Sequence, residues 1–471
     1  MGLPDTVQVL EQCRIAPPTG SSISTTSLLL TFLDLPMLVL PPIERIFFYE
    51  FNHSKSHFMN TILPNIKHSL SLALQHYYPL AGSLTWSQEA NTPKILYTIG
   101  DTVSLTVAEC DHDFYHLAGY HARDDNDFHP LVPMFGRVNS SDKLFPVMAL
   151  QVTLFPNKGI CIGIKLNHAV ADGRTSNQFM KLWASFCKLE GNHSLVATDS
   201  SLPLYDRSIV KDPKELEKKI LKNMANANIT RDTFKFLAMP SSVSARADPP
   251  VRATFVIGQS DVKKLKQWVL TRLNNKKEIP PQLHLSTFVL GCAYVWVCLI
   301  KTRWGADDVA LSVDQEERFA FVFDCRSQLN PPVPTTYFGN CLGFSMVICN
   351  RKELLQEDGI AIAAELLGKK IQSIRNDPEE IWKPLASFYC GSVDREHMLG
   401  VAGSPKLNVY ETDFGWGKPK KVEITSTGSS AVSLSEHPIE ERALEIGLVL
   451  SKKEMDAFAS LFENNLKTLP A

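Results

Sequence analysis

The clearest chemical content lies in Asn167-His168-Ala169-Val170-Ala171-Asp172-Gly173. An imidazole titrates near neutral pH, so a histidine held in a cleft suits general-base work. The carboxylate of Asp172, four residues on, could fix the tautomer of His168. Equally, it could brace the loop through an arginine or cap the helix that follows. Gly173 offers a backbone conformation that other residues resist. A metal site would need a further ligand, and no HExxH or CxxC spacing supplies one, so no metal is expected. No GxSxG elbow, GxxxxGK[ST] loop or strand-borne GxGxxG is present, which leaves covalent serine and dinucleotide chemistry without support. The second dense cluster is Asp413-Phe414-Gly415-Trp416-Gly417. Two glycines around a tryptophan mark a tight turn or a close backbone approach.

The elements that must position His168 are legible. Gly159–Leu166 alternates, with Ile160, Ile162, Ile164 and Leu166 on one face, and is expected to be a strand. Thr175–Leu189 aligns Phe179, Leu182, Trp183 and Phe186 on one helical face. His168 therefore sits at a strand-to-helix junction, where side chains are presented into clefts. The spacing predicts a helix over Leu63–Tyr78, ended by Pro79 and Gly82. In the second half, strands are expected at Val251–Ile257 and Leu444–Leu450. Helices are expected over Ser260–Leu273, His284–Thr302 and Gly359–Ile374, and Ser451 with Glu454 has capping-box spacing. Between the halves, Asp199–Pro250 is rich in chain breakers and reads as a long crossover. Interleaved strands and helices favour mixed α/β layers.

Composition narrows the function classes. The chain has 471 residues, 44% hydrophobic, and a net charge of −2 from 48 basic and 50 acidic side chains. That mix builds a sizeable core and excludes a strongly basic nucleic-acid surface. The longest apolar runs, Leu28–Leu40 and Phe288–Ile300, are too short to span a bilayer, which needs roughly 20 residues. No signal peptide is expected from Met1–Arg14. The 10 cysteines form no CxxC pair and read as reduced thiols of a cytoplasmic protein.

Together the motifs resemble one family. HxxxDG late in the first half and DFGWG late in the chain are similar to the BAHD family of plant acyl-CoA-dependent acyltransferases. Tyr78-Pro79-Leu80-Ala81-Gly82 matches its YPLAG turn. Leu30–Leu38 looks like its N-terminal strand segment, and Leu202–Pro213 resembles the opening of its crossover. Tyr337-Phe338-Gly339-Asn340-Cys341 matches the YFGNC motif of members acylating anthocyanin and other flavonoid glucosides, a subgroup Val409–Glu423 also resembles.

The resemblance implies two chloramphenicol-acetyltransferase-like domains, each a mixed β-sheet with helices. Residues 1–205 would carry HxxxDG, with 377–401 packed against them. A crossover over 206–250 would lead to a second domain, 251–471, carrying YFGNC and DFGWG. His168 would be the general base, and Asp172 a structural residue pairing with Arg326. Asp413, Phe414, Gly415, Trp416 and Gly417 would shape the channel. Lys266, His284 and Ser286 would bind CoA, and Arg174 could clamp a malonyl carboxylate. Two departures stand out: Met37 where many relatives have Trp, and Ser404-Pro405 where other subgroups have Ser-Trp. Expected, then, is a cytoplasmic monomer with no cofactor. Its small-molecule substrates would be an acyl-CoA, most readily malonyl-CoA, and a phenolic or flavonoid glucoside. Hydroxycinnamoyl transfer and non-catalytic binding are the alternatives.

Overall fold

In the computed structural model, residues 7–20, 23–86, 92–136, 143–191, 202–212, 214–230, 249–275, 283–305, 314–377, 379–387 and 397–469 are described. The first sheet has six strands in the spatial order Val7–Ile15, Val103–Cys110, Met148–Phe155, Gly159–Leu166, Ile43–Glu50 and Lys421–Ile424. Gly159–Leu166 lies inside it, paired antiparallel along its whole length with Met148–Phe155 and Ile43–Glu50. Its Ile160, Ile162, Ile164 and Leu166 enter the larger core beneath the helices Leu63–His76 and Gly173–Lys188. Cys161 turns the other way, among Phe48, Phe114 and Phe155. Both faces are therefore dry, and the strand's position is strongly specified.

The second sheet has seven strands, from Leu342–Asn350 through Glu316–Asp324, Met398–Gly403, Ala431–Glu436, Leu444–Ser451 and Pro250–Ile257 to Arg123–Asp124. Thr287–Trp304 and Gly359–Asn376 pack on it to form a second core. Thr287–Trp304 is buried nearly all round between its first and last turns, which explains its continuous apolar sequence. The final helix, Lys452–Lys467, opens with Ser451 and Glu454 in a complete capping box. A small four-stranded sheet of Thr26–Leu29, Lys94–Tyr97, Ser83–Thr85 and Lys143–Pro146 completes the fold.

The two halves exchange strands. Lys421–Ile424 closes the first sheet beside Ile43–Glu50, while Arg123–Asp124 pairs with Val251 and Arg252 at the edge of the second. The seam is charged and dry. Arg123 Nη2 lies 2.9 Å from Glu423 Oε1, and Arg252 Nε 2.8 Å from Asp125 Oδ1. Arg252 Nη1 also donates to the Ile424 carbonyl at 2.8 Å, and Lys421 Nζ lies 2.8 Å from Glu445 Oε2. Within 377–401, the Glu379–Ala386 helix joins the first core through Ile381, Trp382 and Leu385, whereas Met398–Gly403 belongs to the second sheet. The crossover carries the Arg207–Ile209 turn and the Leu216–Asn226 helix; 231–248 lie outside the described residues.

One expectation fails. Leu30–Leu38 is not a strand: the strand is Thr26–Leu29, and Leu35–Val39 is a 3-10 turn. Asp34 Oδ2 accepts from the Thr31 amide at 2.9 Å, and Pro36 supplies no donor for a sheet. Met37 is buried in the first core. Eight of the nine described cysteines are buried, and all nine are free; Cys390 lies outside the described residues. Among the described residues no helix is long and apolar enough to cross a membrane.

The seam generates a stability prediction. Glu423→Ala leaves Arg123 and Arg252 without their shared carboxylate and is expected to cost about 3–5 kcal/mol. Lys452→Ala, which removes an exposed pair with Asp456, should cost under about 1 kcal/mol. Urea denaturation of both variants measures the contrast, and equal losses would refute a structural role for the seam.

Candidate active site

His168 follows the last residue of the Gly159–Leu166 strand by two positions and precedes the Gly173–Lys188 helix. Its ring is partly exposed, but Nδ1 is buried with no hydrogen-bond partner. Nε2 is thus the nitrogen left to face a substrate. Burial holds the imidazole below its ordinary pKa, against the opposing pull of Asp172 and Asn340. The ring is therefore neutral at pH 7, as a base must be.

Asp172 does not turn toward the ring. Oδ1 caps the helix by accepting from the Thr175 amide at 2.9 Å. Oδ2 lies 2.8 Å from Arg326 Nη1 and accepts from the Cys341 amide at 3.1 Å. Helix capping and bracing by an arginine are combined in one carboxylate. Arg326 in turn reaches Asp324 Oδ1 at 3.2 Å and the carbonyls of Tyr337 and Gly339, each at 3.3 Å. Gly173 has an ordinary helical backbone, contrary to the expectation of a special conformation. Its need is room: a Cβ there would stand 3.2 Å from Leu407 Cδ1.

The loop's other support comes from residues that the sequence placed in motifs but gave no part in the site. Asn340 Nδ2 donates to the His168 carbonyl at 2.9 Å and to Asp34 Oδ1 at 3.0 Å. Its own amide also donates to Asp34 Oδ1, at 2.9 Å. Asp34 Oδ2 is held by Arg207 Nη1 at 3.2 Å, and Arg207 also donates to the Tyr337 hydroxyl at 2.7 Å. The signal available was a carboxylate within an apolar run, since a fully buried Asp must have partners.

DFGWG lies at the far end of the same helix. Asp413 Oδ2 pairs with Lys188 at 2.7 Å, and Oδ1 accepts from the amides of Gly415 and Gly417. The helix is 16 residues long, so this turn stands about 24 Å from Asp172. Both glycines have positive φ, +102° and +91°, which only glycine adopts without strain. Phe414 packs edge-on against Trp183 at 5.0 Å, and Trp416 edge-on against Tyr49 at 5.7 Å. These contacts are structural.

The expected CoA residues occupy one neighbourhood. Ser286 caps Thr287–Trp304, accepting from the Val289 amide at 3.3 Å. His284 Nδ1 lies 3.4 Å from Arg375 Nη1, and the positive charges of Arg375, Lys266 and Lys406 join burial in lowering its pKa. Arg375 and Lys406 were not anticipated. Arg174 is already answered: its Nε lies 2.6 Å from Asp324 Oδ2, in the same network as Arg326. Among the described residues no group of three metal-ligating side chains forms.

Known proteins resemble the chain along nearly its whole length. The model of the Transferase family matches residues 6–465. The chain belongs to this family, the BAHD acyltransferases. It is 38% identical over 471 residues to phenolic glucoside malonyltransferase 2 of Arabidopsis thaliana, covering 98% of this chain and 99% of that one. It is also 38% identical over 467 residues to malonyl-coenzyme A:anthocyanin 3-O-glucoside-6''-O-malonyltransferase of Dahlia pinnata, covering 98% and 97%. The crystal structure of vinorine synthase shares the fold, with a TM-score of 0.68 at 19% identity over 97% of this chain and 98% of that one. As a BAHD member the protein is an acyl-CoA-dependent acyltransferase.

The loop's electrostatics can be tested in two ways. The acid limb of kcat/KM should fall below the ordinary histidine value of about 6.5, because a depressed pKa keeps the ring neutral to lower pH. A pH profile with its limb above that value would contradict the burial of His168. Arg326→Met should cost about 3–5 kcal/mol in urea denaturation, because Asp172 then lies buried without its cation. A loss below about 1 kcal/mol would show the pair to be dispensable.

Proposed function

We propose that the protein transfers a malonyl group from malonyl-CoA to a sugar hydroxyl of a phenolic or flavonoid glucoside. The observation that carries the reading is the continuity from cations to base. His284, Lys266, Arg375 and Lys406 gather at one side, and Lys406 belongs to the Pro405–Leu407 turn whose Leu407 abuts Gly173. The names of the malonyltransferase relatives support the donor and the acceptor class. His284, Lys266, Arg375 and Lys406 would meet the CoA phosphates, with Ser286 nearby. Arg174 is not carried forward as the carboxylate clamp, since Asp324 already neutralises it.

In this scheme His168 Nε2 takes the proton of the sugar hydroxyl as its oxygen attacks the thioester carbonyl. The tetrahedral intermediate collapses, the carbon–sulfur bond breaks, and the imidazolium returns its proton to the CoA thiolate. No acyl-enzyme is required, because both substrates are held together and the thioester is already activated. The cycle uses no further cofactor and no second copy of the chain.

Free-thiol release from malonyl-CoA, read with a panel of phenolic and flavonoid glucosides, is the direct test. Acceptor-dependent release that drops about 10²–10⁴-fold in His168→Ala supports the reaction and the base together. Release with coumaroyl-CoA alone would replace the donor. CoA binding without release from either donor would favour a binding protein.

A further inference from the structure

Arg45 lies in Ile43–Glu50, paired with Ile164 on one side and Ile424 on the other. It is 3% exposed, yet its side chain makes no hydrogen bond or ion pair among the described residues. Its Nε and Nη1 are buried and unpartnered. The Asp34, Arg123, Arg252, Arg326 and Arg351 side chains show the contrast, since each buried charge there meets an opposite one. A buried guanidinium without a hydrogen-bonded carboxylate is costly, so a fold that keeps one has a use for it.

The guanidinium borders a small cleft between the two sheets. Ser404, Ser433 and Ser435 contribute to its walls, with Leu407, Val409 and Val422 supplying apolar ones. Leu407 is also the residue abutting Gly173, and its carbonyl accepts from Asn177 Nδ2 on the same helix. Lys406, one position earlier, faces the cation cluster around His284. The cleft therefore lies between the phosphate-binding candidates and the His168 loop. Along the chain, Ile164 precedes His168 by four residues, a separation of at most about 13 Å at about 3.3 Å per residue. Glu436 Oε1 accepts from the Tyr410 amide at 2.8 Å and its Oε2 is buried without a hydrogen-bond partner; its charge acts on Arg45 from a distance, with no hydrogen bond between the two. Burial draws Arg45 down to about 10, so it is still charged at neutral pH.

We propose that Arg45, with the serine hydroxyls around it, binds the free carboxylate of the donor's acyl group and so selects a malonyl over a neutral acyl-CoA. The inference rests on the acyl-transfer reading above and names the residue that sets its donor specificity. Arg174 does not serve this purpose, because its partner is internal.

The test compares kcat/KM for malonyl-CoA and acetyl-CoA, with one accepted glucoside, in the full-length wild type, Arg45→Met and Arg45→Lys. Wild type should prefer malonyl-CoA. Arg45→Met should lower the malonyl-to-acetyl ratio by about 10- to 100-fold, the scale of a lost charge-assisted pair, and Arg45→Lys should retain part of it. A merely structural arginine would lower both donors together and leave the ratio unchanged, which would overturn the proposal. A guanidinium covered by water or by a re-oriented Glu436 would also leave the ratio unchanged and overturn it equally. Should Arg45→Met not fold, the thermal midpoint of wild type with free malonate against propionate decides. A rise with malonate alone supports the site, and equal shifts or none refute it. Wild type that turns over acetyl-CoA or coumaroyl-CoA but not malonyl-CoA would instead sink the malonyl reading itself.

Discussion

A carboxylate sealed from water must be surrounded by donors, and Asp172 finds its donors on three separate segments. They are the first turn of its own helix, the Cys341 amide and the Arg326 guanidinium. The last two come from the ends of Glu316–Asp324 and Leu342–Asn350, strands of the second sheet. One buried charge thus ties the His168 loop of the first sheet to a hairpin of the second. Its neighbour Asp34 repeats the device, drawing in Asn340 and Arg207 from segments remote in sequence. Because breaking a buried pair is far costlier than leaving it whole, the loop has little freedom to drift. A general base needs that rigidity more than it needs a partner on its own ring.

The same constraint separates holding groups from working groups. Arg326, Arg207 and Arg174 have internal carboxylates, and Asp413 has Lys188 and two amides. Each uses its charge to hold shape. His168 Nδ1 and Arg45 Nε and Nη1 are buried polar atoms without partners, as are Ser176 Oγ, Asn177 Oδ1 and Asn340 Oδ1 around the same loop. Each such group calls for an explanation, and an arriving ligand is one.

Much of the framework was legible in sequence because it is locally determined. Gly159–Leu166 is found with the expected bounds, since its period-two apolar run records burial on the face that meets the helices. Gly173–Lys188 and the Ser451 cap are likewise set by nearby residues. The strand exchange was not legible. Lys421–Ile424 has only four residues, too few for a period, and its partner is decided by contacts made hundreds of positions away. Leu35–Val39 misled because its apolar composition suits a strand, while Asp34 and Pro36 dictate a turn. In the site, residue type alone pointed to His168 and Asp172. Asn340 and Asp34 act through a contact spanning 306 positions, so even the motif that holds Asn340 does not reveal what it does.

Arg45 was hidden for the opposite reason. It stands in a strand whose neighbours Ile46, Phe47 and Phe48 are all core, and a sequence reading has no means of knowing that its Nε and Nη1 find no hydrogen-bond partner. Arg174 drew attention because it follows the motif, but proximity in sequence is a poor guide to electrostatic availability. Asp324 lies within an ion-pair distance of both Arg174 and Arg326, so these two arginines share the carboxylates of Asp172 and Asp324 between them. Two positive and two negative charges close that network. A ligand anion arriving there would have to displace Asp324, whereas at Arg45 no hydrogen-bonded carboxylate has to leave. Specificity for a charged group is strongest where the empty site is itself unfavourable, because the wrong ligand leaves the cost unrelieved.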